Sequence, residues 1–199
     1  MTGGGLLLAA GSGQRFGGDK RRARMPDGRT LLEATLSRWC AAFTRVRVVL
    51  RDRASQGEVA LAASLRESFP ALEVTFAARW QEGMGASLAA GVRDCDDWAY
   101  VWVGLGDMPW VRVDTLKALQ AALDAQLEQG HENCIVRPAH GGEWGQPVGF
   151  GPAHRDALSG LGGDQGARDL IRRHPGVIEV ECHDLGVVRD IDTPEALRR

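Results

Sequence analysis

Glycines and cations crowd together after the first apolar run. Residues 6–20 read LLLAAGSGQRFGGDK, with Gly11, Gly13, Gly17 and Gly18 set among Arg15 and Lys20. Glycines let main-chain N–H groups close on an anion with no Cβ in the way, and cations neutralise phosphate charge, so a triphosphate is the natural guest of such a loop. The competing account is a tight strand-to-helix turn carrying solvated charges. Two common nucleotide signatures fail on spacing: a P-loop needs Gly-Lys-Ser/Thr but Asp19 follows Gly18, and GxGxxG begun at Gly11 needs glycine where Phe16 stands. ATPase and NAD-dependent oxidoreductase readings both lose ground.

A second centre follows the apolar run Tyr100 to Leu105, in Gly106-Asp107-Met108-Pro109. A carboxylate at a strand's carboxyl end, in a turn fixed by glycine and proline, suits a hard cation; Mg²⁺ needs only one or two protein carboxylates beside water and substrate phosphate. Asp107 is therefore the candidate Mg²⁺ ligand, against the alternative of a turn or helix-capping aspartate. Near the C-terminus, Asp190-Ile191-Asp192-Thr193-Pro194-Glu195 places Pro194 in the first turn of a helix, which by itself makes Asp192 or Thr193 an N-cap. His131, His140, His154, His174 and His183 have no metal-ligand spacing and read as surface or incidental, which argues against a zinc hydrolase.

These centres need a scaffold whose strand ends meet. Strand-like runs at Gly5 to Ala10, Val46 to Leu50, Val74 to Ala77, Tyr100 to Leu105 and Cys134 to Arg137, with shorter ones near Val148, Val177 to Val180 and Val187 to Arg189, alternate with helical periods. Leu32, Leu36, Trp39 and Phe43 share one helical face, as do Leu61, Leu65 and Phe69, and then Leu116, Leu119, Leu123 and Leu127. The alternation predicts an α/β fold around a mainly parallel sheet, with the ligand crevice beyond the carboxyl ends of the strands.

The composition narrows the partners. A chain of 199 residues, 44% hydrophobic, is long enough for one domain with a full core, and 24 basic against 26 acidic residues give a net charge of −2, no field for nucleic acid or an anionic membrane. Cys40, Cys95, Cys134 and Cys182 are scattered without CxxC pairing, and the run Leu6 to Ala10 is too short to span a membrane; the expectation is a cytoplasmic protein with small-molecule partners. Arg21, Arg22 and Arg24 read as a solvated charge run, and Trp110 and Trp144 as packing rather than stacking residues.

LAAGSGQRFGGDK resembles the signature LAAGxSxRxGxxK of the nucleotidyltransferases that act on molybdenum cofactor and related acceptors, and GDMP and DIDTPE match further segments of that family in order. The resemblance implies a single-domain, Rossmann-like fold of glycosyltransferase-A type. It implies that Ala9, Ala10, Gly11, Ser12 and Gly13 face the nucleotide, that Arg15 and Lys20 hold the triphosphate and the leaving pyrophosphate, and that Asp192 joins Asp107 on the metal, with Asp190 in reserve. Residues 81–88, QEGMGASL, resemble the base and ribose side, which brings in Gly83, Gly85 and Ser87; a glycine-capped helix start is the alternative there. GQPV resembles GHPV and GDQGAR resembles GDxGAR, which places Gln146, Pro147, Asp164 and Gly166 on the acceptor side, with Gln146 where histidine is usual. LAAG, with nine residues from Gly11 to Lys20, follows the family's cytidylyl pattern, and the methyl of Ala10 is expected to narrow the space beside the base. The implied reaction moves CMP from CTP to a phosphorylated acceptor, molybdopterin, for delivery to a molybdenum hydroxylase. Rivals are a guanylyltransferase, a sugar-phosphate or isoprenoid-precursor nucleotidyltransferase, and a noncatalytic cofactor-binding accessory protein.

Overall fold

Every residue of β1 (Gly4–Leu8) is buried, and so is every residue of β2 (Val46–Leu50). Strands covered on both faces must be apolar nearly throughout, as β1 is; the one charge in β2, buried Arg47, is matched by Glu73 (3.0 Å) and the Gly91 carbonyl (3.1 Å). The computed structural model describes residues 2–13, 16–93, 95 and 97–198. Its further strands are β3 (Glu73–Phe76), β4 (Val101–Leu105), β5 (Ile135–His140), β6 (Glu143–Trp144), β7 (Val148–Phe150) and β8 (Val177–Glu181). They form one sheet in the order β3-β2-β1-β4-β7-β5-β6, with β8 also pairing β5. Pairs β1/β2, β1/β4, β2/β3 and β5/β8 are parallel, whereas β7 runs antiparallel between β4 and β5.

Helices cover both faces. α1 (Leu31–Ala42) starts in a capping box, Thr30 with Glu33, that satisfies main-chain donors at both positions. Its stripe of Leu32, Leu36 and Trp39, with Phe43 behind it, joins Leu61 and Leu65 of α2 (Gln56–Ser68) and the leucine row of α4 (Val113–Glu128) in one core cluster with Leu7. Leu6 and Leu8 point the other way, onto Leu88 and Val92 of α3 (Met84–Val92) and Leu158 of α5 (Arg155–Ser159). The short α6 (Arg168–Arg173) follows. Among the described residues no helix is long and apolar enough to cross a membrane.

Two expectations fail here. Residues 187–189 do not form a strand: Leu185–Val188 is a 3-10 turn, because the Asp184 carboxylate accepts from the Gly186 N–H (3.0 Å) and Gly186 packs directly on the main chain of Trp110. His154 is not incidental surface either. It is buried, edge-on to Phe150 and His174, and burial lowers its pKa below the usual histidine range.

Candidate active site

Parallel pairing of β1 with β4, Leu8 opposite Leu105, makes the loop after β1 and the turn after β4 emerge side by side. The Gly106 N–H donates to the Leu8 carbonyl (2.9 Å), and the buried Thr35 hydroxyl of α1 donates to the Gly106 carbonyl (3.1 Å). A Cβ at Gly106 would lie 3.1 Å from the side chains of Ala9 and Leu32, so the turn is closely packed at this glycine. The C-terminal segment is drawn across this turn by the Ile191 N–H, which donates to the Asp107 carbonyl (3.0 Å). Buried Asp184 anchors the approach to it, accepting from the Arg112 N–H (2.9 Å) and the Thr115 hydroxyl (2.7 Å) at the start of α4.

Three distant motifs thereby converge. Lys20 Nζ donates to Asp107 Oδ2 (2.5 Å), Asp192 Oδ1 (3.1 Å) and the Ile191 carbonyl (3.3 Å). Burial alone would lower the Lys20 pKa, but the two carboxylates outweigh it and hold the ammonium above its ordinary value. Asp190 completes a trio with Asp107 and Asp192 in which one oxygen from each lies within 4.8 Å of the others. Its own pKa is raised, by burial first and by those two neighbours second. Asp107 Oδ1 is buried with no hydrogen-bond partner among the described residues. An orphaned carboxylate oxygen beside two further carboxylates is the all-oxygen donor set that a hard divalent cation takes, so the residues fit Mg²⁺ or Mn²⁺. Lys20 is the resident cation of that set here.

The Gly-rich loop is held by a network that the sequence reading missed. Arg21 is only 4% exposed, so it is no part of a solvated run. Its guanidinium donates to Asp19 (2.7 Å), to both oxygens of Glu58 and to the Ala9 carbonyl (3.0 Å). Glu58 also accepts the Arg51 N–H (3.0 Å), while the Arg51 side chain donates to the Gly11 carbonyl and lies over the Trp80 ring. The strand end at Ala9 and the loop at Gly11 are thus tied to α2. A guanidinium is buried here because carboxylates match it, and the sequence signal for that was Glu58 standing in helical phase with Leu61 and Leu65.

The other expected positions distribute unevenly. Arg15 lies outside the described residues. Gly11 and Ser12 are exposed and Gly13 adopts φ +65°, but Ala9 and Ala10 are buried, Ala10 at 3% exposure. The Ala10 methyl therefore presents no surface to a base in this conformation, contrary to expectation. Gly83 and Gly85 permit a close approach, but of the loop 162–164: the Gly85 N–H donates to the Gly163 carbonyl (2.8 Å), and a Cβ at Gly83 would meet Asp164. Ser87 is buried, its hydroxyl turned to the Gly83 carbonyl (3.3 Å). Asp164 is exposed, and Gly166, at φ +55°, packs on Met84. Half-buried Gln146 gives its N–H to the Val187 carbonyl (2.7 Å), and Pro147 is buried behind it. Trp110 is half-buried with the Arg189 guanidinium 4.1 Å from its ring, whereas Trp144 is exposed and is not a packing residue.

A lysine from the Gly-rich loop after β1, set against the carboxylate that follows the neighbouring parallel strand β4 and a second carboxylate from the C-terminal segment, is an arrangement suited to nucleotidyl transfer. Residues 5–177 match the profile of the MobA-like NTP transferase domain, and the chain belongs to that family. It is 28% identical, over 98% of its length and 94% of the relative's, to nicotine blue oxidoreductase of Paenarthrobacter nicotinovorans. To the purine catabolism protein PucB of Bacillus subtilis it is 27% identical over 96% and 92%. Among solved structures it is similar to Rv0371c of Mycobacterium tuberculosis, at 26% identity and a TM-score of 0.74, covering 100% of this chain and 97% of that one. A complex of Rv0371c with manganese superposes at a TM-score of 0.70, with 25% identity and the same coverage.

Proposed function

We propose that this nucleotidyltransferase moves CMP from CTP to a phosphate oxygen of molybdopterin, releasing pyrophosphate, with Mg²⁺ held by Asp107 and Asp192. The observation that carries this reading is the convergence of Lys20, Asp107 and Asp192 at the ends of β1 and β4. Main-chain groups of Gly11, Ser12 and Gly13 receive the triphosphate, on a loop whose base is braced by Arg21 and Arg51. As the triphosphate enters, Lys20 exchanges its carboxylate partners for phosphate oxygens, and with Arg15 it neutralises the charge that collects on the departing pyrophosphate. Bound Mg²⁺ supplies Lewis-acid stabilisation at the α-phosphate. One acceptor oxygen forms a bond to the α-phosphorus, the bond from that phosphorus to the bridging oxygen breaks, and pyrophosphate leaves; no covalent enzyme intermediate is involved. Half-buried Gln146 and exposed Asp164 face the acceptor, with buried Pro147 and Gly166 shaping the chain beneath them, and the cytosine dinucleotide product passes to a molybdenum hydroxylase. The choice of CTP is supported by LAAG and the spacing from Gly11 to Lys20.

Pyrophosphate release with each of the four NTPs, Mg²⁺ and molybdopterin tests this, and CTP is expected to be fastest. Preference for GTP overturns the cytidylyl assignment alone, and the absence of release with every NTP overturns the reading. A second reading rests on the name of the Paenarthrobacter relative, an oxidoreductase. Consumption of NADH or NADPH by the same preparation, without pyrophosphate release, would favour it.

A further inference from the structure

Trp144 is 61% exposed, on a strand of two residues. The Arg137 guanidinium lies 4.1 Å from the ring centroid, and Arg137 Nε is buried with no hydrogen-bond partner among the described residues. The pairing follows from register. Trp144 stands opposite Ala139, and Arg137 lies two residues before Ala139 on β5, so both side chains share one face of the sheet. Opposite Arg137 on the other edge of β5 stands Glu179, its nearest counter-charge in the register. A guanidinium stacked on an indole fixes the ring without covering its outer side.

The pair also lies at the right end of the molecule. Because β4 and β5 are both antiparallel to β7, they run parallel to each other, and the β5–β6 hairpin opens at the same end of the sheet as Asp107. The residue after Trp144, Gly145, gives its N–H to Pro138 (2.9 Å), and Gln146 gives its own to Val187. Val187 precedes Ile191, the residue bonded to Asp107, by four positions, a span of at most roughly 14 Å. Exposed Leu185 sits on the same connecting segment. The platform and the carboxylates are thereby joined along one hydrogen-bonded segment at one end of the sheet, an arrangement for a small molecule with a phosphate at the carboxylates and a flat group at its other end.

We propose that Trp144, backed by Arg137, is the stacking platform for the fused heteroaromatic ring of the acceptor. This rests on the reading that the acceptor attacks through a phosphate at the Asp107 site, and it adds a binding residue that the motifs do not include. Arg137 acts as a positioning residue: it holds the indole and does not itself touch the ring.

The test is the dissociation constant of 6-hydroxymethylpterin, read by its fluorescence on the full chain, alongside the CTP dissociation constant from calorimetry with Mg²⁺. Trp144→Ala is expected to weaken the pterin roughly tenfold or more, the typical value of one aromatic stack, and Trp144→Phe to keep most of the affinity. Arg137→Gln is expected to weaken it by less, about threefold, since the ring remains but is no longer held. CTP affinity is expected to be unchanged in all three, which also shows that they fold. Equal pterin binding by Trp144→Ala and wild type, or no pterin binding by wild type, overturns the platform; if CTP still binds, the nucleotidyl-transfer reading stands. Loss of CTP binding in the wild type strikes that reading instead.

Discussion

Lys20 and Arg21 are adjacent in a run of cations, yet the fold gives them opposite environments. Arg21 is clamped by Asp19 and Glu58, whose side chains are 27% and 6% exposed, and donates to the Ala9 carbonyl. Lys20 meets Asp107 and Asp192, 16% and 38% exposed, at the mouth of the site. The planar fork of arginine fits two carboxylates and a carbonyl at once, which makes it a fixed brace; an ammonium is a point charge on a flexible stem that exchanges partners when a stronger anion arrives. Charge density along the chain therefore does not separate substrate contacts from scaffold. The burial of the cation itself does: the side chain is 5% exposed in Arg21 and 17% in Lys20.

The largest effect that sharpens this contrast is on stability. Arg21→Met strands Glu58 and Asp19, and breaking one side of a buried ion pair costs about 3–5 kcal/mol. Urea unfolding is expected to show that loss, while turnover per folded molecule falls far less. A variant as stable as wild type would remove Arg21 from the scaffold.

Asp107→Asn is expected to do the reverse. It deletes a carboxylate from the Lys20 site, so pyrophosphate release drops on the order of 10²–10³-fold, while the urea midpoint stays close to wild type. Wild-type turnover in this variant would move the reaction elsewhere.

A smaller effect is expected in acid. Burial alone would raise the pKa of Glu58 and of Asp19, but Arg21 outweighs it and holds both below their ordinary values of 4.5 and 3.8. Carboxyls depressed in the folded state stabilise it fully above those ordinary values and cease to do so as pH falls through the folded-state values. Wild type is therefore expected to lose stability as pH falls below about 4.5, and Glu58→Gln to show a flatter decline over that range. Identical slopes would show that the pair carries no linked protons.

Much of the scaffold was legible because its signals are local and periodic. The leucine row of α4 and the stripe of α1 are buried as their spacing demands, and β1 and β4 are the apolar runs that a doubly covered strand requires, a pattern broken in β2 only by Arg47. The turn at Gly106 was visible too, since glycine and proline mark it on either side of Asp107. What was hidden depends on contacts between distant segments. Arg21 finds Glu58 across 37 positions, and Gly83 and Gly85 are needed for the approach of the 162–164 loop, which their spacing does not name. Val187 has a strand-like neighbourhood, but hydrogen bonds to Asp184 and the closeness of Gly186 to Trp110 impose a turn.

The central claim is that Lys20, Asp107 and Asp192 form one exchangeable cation site, and Mn²⁺ binding followed by electron paramagnetic resonance tests it most directly. In wild type, tight Mn²⁺ binding is expected only when CTP is present to draw Lys20 away; Lys20→Met should bind the ion without nucleotide, and Asp107→Asn should not bind it tightly in either condition. Mn²⁺ held equally by wild type and Asp107→Asn in the presence of CTP would contradict the account.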